Sequence, residues 1–343
     1  MTRFVLVAGT TATARIDGIS AAGADPNLLP HTPSADAELI EYGRLVRAPE
    51  VPVSPTGCPT PAAVTRAVRE AVGFETLVVD AGLAKPTGAP TVDVGAKPGR
   101  DVREVDPVPT APGAWVAARD LGRALPDDEL VIGETIPGGT TTALGVCRAL
   151  GVSEVSKTPR EDGEAVGITV SSSLPENPLD LKREVIDAAF EASDVAPGEA
   201  AYHPELAVRF LGDPVLAVVA GLTAGALESG TEVVLGGGTQ MLAAAALLRH
   251  AGVAAPLTVA ATTYVAADAD LSAATEALDC DLVVTDPGFA GRDDALARYA
   301  AGEAKEGAGM GGALRLAERA GALGRVADGT LEVMERLIDS HGP

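Results

Sequence analysis

Glu306 stands inside the tract Ala-Lys-Glu-Gly-Ala-Gly-Met-Gly-Gly-Ala, residues 304 to 313, where one carboxylate meets a glycine-rich turn that opens a helix. Glycines let a ligand approach the main chain and leave amide N–H groups free to hold an anion. A carboxylate beside such a site can take a proton from a bound nucleophile. Glu306 is therefore the first candidate for a general base, with Gly307 and Gly309 as backbone donors beside it. The bland reading is a capped helix, since the macrodipole favours an acid at a helix start without any catalysis. The tract also matches Gly-x-Gly-x-x-Gly at Gly307, Gly309 and Gly312, the mark of an NAD-dependent oxidoreductase. A dinucleotide loop follows a hydrophobic strand, however, and Asp293 to Lys305 is polar, alanine-rich and helical in spacing.

Two more loops carry the same chemistry. Gly133-Glu-Thr-Ile-Pro-Gly-Gly-Thr-Thr-Thr, through Thr142, follows an apolar run and enters a helix, the geometry in which N–H groups and hydroxyls receive a phosphate. Glu134, Gly138, Gly139, Thr140 and Thr141 are its candidates. The loop lacks the Gly-Lys-Ser/Thr ending of a P-loop, so a monoester phosphate fits better than triphosphate hydrolysis. Gly236, Gly237, Gly238 and Thr239 repeat the arrangement after the run Thr231–Leu235, and Thr285 to Phe289 forms a third loop. At each, a tight turn that relieves helix–sheet packing is the competing reading, and a threonine cap competes at Thr140 and Thr141. Lys182 opens a helix after Ser171-Ser-Ser, and an ammonium there would add a charge-assisted bond to a phosphate. The chain has only five lysines, which singles it out from the ordinary solvated helix lysine. His31, His203, His250 and His341 show no metal-ligand spacing, and none lies near a Gly-x-Ser-x-Gly motif.

These loops need a sheet to converge on. Apolar, β-branched runs at Phe4–Ala8, Thr76–Asp80, Glu129–Gly133, Gly167–Ser171, Thr231–Leu235, Leu257–Ala261 and Leu282–Thr285 alternate with helical patterns. The expected fold is α/β: a mostly parallel, Rossmann-like sheet with helices on both faces and a small helical subdomain from the termini. One unit spans 1–343, with its core at 60–300 and the smaller subdomain at 1–59 and 301–343. Residues 17–34 and 84–112, the latter with six prolines and three glycines, interrupt the rhythm as long loops and are expected to wall the pocket.

Composition narrows the function classes. Three separated cysteines, Cys58, Cys147 and Cys280, offer neither a disulfide framework nor a C-x-x-C metal site, as expected of a reduced, cytoplasmic protein. Met1-Thr-Arg leads straight into an apolar run, so no signal peptide is expected, and no stretch is long enough to span a bilayer. The 26 basic and 48 acidic residues give a net charge of −22, which disfavours nucleic acid and membrane surfaces. Scattered acid with few lysines suits a solvated surface in a high-salt, halophilic cytoplasm.

Taken in order, Gly-Glu-x-x-x-Gly-x-Thr-Thr at 133–141, Leu222-Thr-Ala-Gly, the loop at 233–238 and Lys-Glu-Gly-Ala-Gly-Met-Gly-Gly at 305–312 form a pattern along the chain. So do Asp17-Gly-Ile-Ser-Ala-Ala-Gly and Thr32-Pro-Ser-Ala-Asp-Ala-Glu. Together they resemble the nicotinate-nucleotide:dimethylbenzimidazole phosphoribosyltransferase family, in its archaeal-type branch. The resemblance implies that Glu306 is the catalytic base, that Glu134 and Gly138–Thr141 help bind the nucleotide, and that Lys182 contacts phosphate. It implies transfer of phosphoribose from nicotinate mononucleotide to a benzimidazole-type base in the lower-ligand assembly of cobamides, in a homodimer, with no metal or other cofactor. A helix such as Asp213–Leu227 would suit the dimer interface, and core burial would explain its pattern equally well. Where the bacterial enzymes have Met-Gly-Ile after the first Gly-Glu, this chain has Thr135-Ile-Pro, and it has Gly236-Gly-Gly in place of Asp-Gly-Phe. A non-catalytic nucleotide or corrinoid-precursor binding protein is the alternative.

Overall fold

Short valine- and leucine-rich runs without polar alternation suit strands buried on both faces, and here they build a parallel sheet. The computed structural model describes residues 1–20, 27–54, 56–152 and 168–340. The chain runs through β1 (Thr2–Ala8), α1 (Thr32–Tyr42), α2 (Pro61–Val72), β2 (Glu75–Asp80), β3 (Thr91–Asp93), α3 (Ala111–Ala124), β4 (Glu129–Thr135) and α4 (Gly139–Ala149). There follow α5 (Leu179–Ser193), α6 (Pro204–Leu211), α7 (Pro214–Glu228), β5 (Glu232–Gly236), α8 (Thr239–His250), β6 (Thr258–Thr262) and α9 (Thr263–Asp268). The last elements are α10 (Leu271–Ala277), β7 (Asp281–Thr285), α11 (Ala297–Ala300), α12 (Met310–Arg319) and α13 (Val326–Ser340).

Among the described residues seven strands lie in the order β3-β2-β1-β4-β5-β6-β7, and every pairing is parallel. The order reverses between β1 and β4, so the carboxyl ends of these two strands flank the crevice in which such sheets place ligands. Side chains alternate between two cores. Phe4, Leu6 and Ala8 of β1 pack with α1, α2, α12 and α13 on one face, while Val5 and Val7 meet α3, α4, α7 and α8 on the other. Helices from both ends of the chain thus form one layer with α2.

The structure departs from the sequence expectations, or decides between them, in four places. β1 pairs with both β2 and β4, so residues 1–59 supply a middle strand of the sheet as well as a terminal helix. Gly167 lies outside the described residues, and 168–171 join no strand: the Val170 carbonyl accepts from Asn177 Nδ2 at 2.6 Å and the Ser171 carbonyl from Lys182 Nζ at 2.6 Å, so side chains replace a ladder. The 84–112 excursion contains edge strand β3, and its later part is tied to the 10–13 loop, with Gly99 N–H on the Thr10 carbonyl and Val102 N–H on Thr13 Oγ1. Finally, α7 is buried from Pro214 to Ala226 within this chain. A Cβ placed on Gly225 would lie 1.9 Å from the Arg119 carbonyl of α3, so that helix serves the core and offers no face to a partner.

Candidate active site

β4 is buried along its whole length and delivers Glu134 and Thr135 to the crevice. The chain then turns through Ile136, Pro137 and Gly138, the last at φ 82°, into α4. β5 leads in the same way through Gly238 into α8. The first-turn N–H groups of both helices lack intrahelical partners and carry positive dipole ends. Both helix starts line a cleft of about 1040 Å³, part of it open to solvent. Glu306 and Gly307 form another part of its wall, as do Asp36 of α1 and residues 52–54 and 58–61.

Glu306 occupies the amino end of α12. Its Oε1 accepts the N–H of Gly311 at 2.8 Å and of Gly307 at 3.3 Å, and its Oε2 accepts the N–H of Thr262 at 3.1 Å. Three neutral donors orient the carboxylate and favour its ionised form, but removal from water outweighs them and pushes its pKa up to about 7. Glu134 is raised to about 8, first by burial and then by the charges of Asp213, Glu306 and Asp36. Asp36 is raised to about 6 by burial, against the hydroxyls of Thr60 and Thr135, which donate to it at 2.7 and 2.6 Å. Asp213 caps α7 through the Leu216 N–H at 3.0 Å and accepts from Thr142 at 2.5 Å and Gln240 Nε2 at 3.1 Å; burial raises its pKa as well. Glu134, Glu306 and Asp36 thus line one crevice, with the buried Asp213 also within electrostatic reach of Glu134. Among the described residues they do not close into a metal-ligand set.

Of the residues singled out in the sequence, Glu306, Glu134, Gly138, Gly139, Thr140, Gly238, Thr239 and Gly307 line the cleft. Thr141, Lys182, Gly236, Gly237 and Gly309 do not. A Cβ on Gly236 would sit 2.8 Å from Gly312 Cα, and one on Gly309 would sit 2.5 Å from Phe4 Cζ. These two glycines let α12 lie directly on the sheet, the packing role that competed with phosphate binding. Gly237 gives its N–H to the Ala260 carbonyl at 2.9 Å. Thr141 is buried behind the helix start, its hydroxyl without a partner among the described residues. No strand leads directly into Gly307; turns and the four-residue α11 do, which removes the dinucleotide reading. Loop 84–112 contributes nothing to the cleft wall, which draws instead on Ile19, Ser20 and Thr32 from the 17–34 region and on residues 52–61.

Lys182 is fully buried, and its Nζ gives its protons to Thr140 Oγ1 at 3.0 Å, the Ser171 carbonyl at 2.6 Å and Asn177 Oδ1 at 3.1 Å. Burial lowers its pKa to about 7. It supports Thr140 from behind instead of facing the cleft. Lys182→Ala should therefore raise the KM for a phosphate-bearing substrate by about tenfold with a smaller change in kcat, the loss of roughly one well-placed bond. An unchanged KM would exclude it from the binding machinery. Lys305, which the sequence reading assigned no role, does reach the wall, bonded to the Ser172 and Leu174 carbonyls and to Asp268. Asp36 and Gln240 also escaped it; the available signal was a polar residue inside an otherwise buried helix.

No family model matches the chain. It is 56% identical over 341 residues to a UPF0284 protein of Halobacterium salinarum, a match covering 98% of each chain. A UPF0284 protein of Methanosarcina mazei is 40% identical over 323 residues, covering 92% of this chain and 88% of that one. Another, from Pyrococcus furiosus, is 38% identical over 325 residues, covering 93% of each. In three dimensions the chain is similar to the nicotinate-nucleotide-dimethylbenzimidazole phosphoribosyltransferase of Thermus thermophilus, with a TM-score of 0.61 and 17% identity over 95% of this chain and 82% of that one. A structure of CobT from the same organism gives a TM-score of 0.60 at 18% identity, covering 95% and 83%. At such identities the likeness is one of fold.

Proposed function

The chain belongs to the UPF0284 family, and we propose that it is a phosphoribosyltransferase that moves phosphoribose from nicotinate mononucleotide to a benzimidazole-type base, in the lower-ligand assembly of cobamides. The observation that carries this reading is Glu306: a carboxylate on a cleft wall, gripped by three backbone N–H groups, in no ion pair among the described residues, and close to half-ionised at neutral pH. A shared fold with a phosphoribosyltransferase supports it.

In this scheme the bond between the anomeric carbon and the pyridinium nitrogen breaks, and its electron pair returns to the ring, which leaves as nicotinate. The lone pair of a base nitrogen attacks the opposite face and forms the new bond, inverting the β-ribotide to an α-ribotide. The base's remaining N–H proton passes to Glu306. The leaving group needs no protonation, so the protein supplies position and one proton acceptor, together worth several powers of ten in rate. The amino ends of α4 and α8, with Thr140 and the hydroxyl of Thr239, which has no partner among the described residues, would hold the 5′-phosphate. By the family resemblance the enzyme works as a homodimer, and its scattered acidic charge suits a high-salt cytoplasm.

Mixing the protein with nicotinate mononucleotide and a benzimidazole should release nicotinate and yield an α-ribotide, followed by chromatography. Nucleotide binding without release in folded protein would sink the transfer reading and leave a nucleotide or corrinoid-precursor binding protein.

A further inference from the structure

Five of the side-chain hydrogen-bond donors that line the cleft are already committed. Thr60 and Thr135 donate to Asp36, Gln240 Nε2 donates to Asp213, Ser54 donates to Glu303 at 2.8 Å, and Ser171 donates to Asp268 at 2.6 Å. Acceptors remain in surplus. A carboxylate offers about four lone-pair sites, and the two hydroxyls on Asp36 take two of them. Gln240 lines the same cleft at 4% exposure, and with Nε2 turned to Asp213 its Oε1 is left without a partner among the described residues. A buried carbonyl oxygen with nothing to accept is costly unless something else supplies a proton to it. The other surface here is apolar and rigid: Ile19, Pro52, Pro59, Pro61, Ile136 and Pro137 supply flat or aliphatic walls. A flat aromatic ring would fill that space, and any donor on its edge would meet acceptors.

We propose that Asp36 and Gln240 are specificity residues that read a second hydrogen-bond donor on the acceptor, so that the site takes a bicyclic heteroaromatic bearing an exocyclic amine besides the nitrogen that attacks. This rests on the transferase reading and narrows its substrate. A base whose far edge carries only methyl groups leaves both acceptors unanswered, and that omission discriminates more strongly than a difference in apolar contact.

Calorimetry on the full chain tests this with paired probes: adenine against purine, and aminobenzimidazole against dimethylbenzimidazole. The amine-bearing member of each pair should bind at least about tenfold more tightly, as for a hydrogen bond to a charged group. In Asp36→Asn the advantage of the amine-bearing member should shrink to within about threefold. Should that variant not fold, the wild-type pairs decide alone. Equal binding within the pairs, tighter binding of the methyl-bearing member, or no binding of any base overturns the inference. Nicotinate release measured alongside separates the two claims. Release with dimethylbenzimidazole at equal or higher kcat/KM leaves the transfer standing and this inference overturned. Amine-selective binding with no release from any base upholds the inference and overturns the transfer.

Discussion

Glu306→Gln is expected to lower turnover at least about a hundredfold while nucleotide binding is retained. Glutamine keeps the length and shape of the side chain, and its one carbonyl oxygen can still face Gly311 N–H or Thr262 N–H. Its amide NH₂ then points at the other donor, so the local contact weakens, but the fold does not rest on this side chain alone. What is lost is the proton acceptor. The wild-type carboxyl, raised to about 7, is half-ionised near neutral pH. A base with its pKa near the working pH combines a populated ionised form with the strongest driving force for proton uptake. The sign follows: kcat/KM should fall about tenfold per unit as pH drops below about 7 and level off above it, and this limb should vanish in Glu306→Gln. Single-turnover nicotinate release against pH measures both effects. Normal turnover in the glutamine variant, or an unchanged pH limb, removes Glu306 from the mechanism.

Much of the frame was legible because parallel strands buried on both faces show as unbroken apolar runs. β1, β2, β4, β5, β6 and β7 announce themselves in this way. β3 did not, since Thr91–Asp93 is three edge residues among prolines and glycines. The run ending at Ser171 misled in the opposite sense: its β-branched residues suit a strand, but its carbonyls are bonded by Asn177 and Lys182, contacts that local pattern cannot reveal. Glu134, Gly138, Thr140 and Glu306 were legible because strand ends and helix starts have their own sequence marks. Gly236 and Gly309 carry the same marks, and only the distance between α12 and the sheet tells packing from binding. Asp36 and Gln240 depend on which helix crosses the crevice, a property of topology. Lys182 shows both sides: the scarcity of lysine singles it out in the sequence, but its orientation toward Thr140 and away from the cleft is tertiary information.

Glu134→Gln should stabilise the protein above neutral pH while weakening it as a nucleotide binder. Glu134 is 9% exposed, and its pKa is raised from 4.5 to about 8. Between these values the folded chain keeps a proton that the unfolded chain has released, so stability falls as pH rises across that window. Glu306 and Asp36, raised to about 7 and about 6, tilt the curve the same way within narrower windows. Lys182, lowered to about 7, acts oppositely: the unfolded chain holds its proton up to 10.5, so its contribution improves with pH above about 7. The clean descending limb therefore lies between about pH 4.5 and 7. Glutamine is neutral throughout and close in shape, so at pH 8 it should gain on the order of 2–4 kcal/mol over wild type, with little change at about pH 5. Chemical denaturation at the two pH values gives the difference directly. A gain of equal size at both would mean that packing, not ionisation, sets the effect, and no gain at the higher pH would mean that Glu134 ionises without strain. A carboxyl buried at this cost beside three other acids, at the carboxyl end of the strand that borders the crevice, is explained if a ligand meets it there. The same variant should then bind nicotinate mononucleotide at least several-fold more weakly, so that stability and binding move in opposite directions.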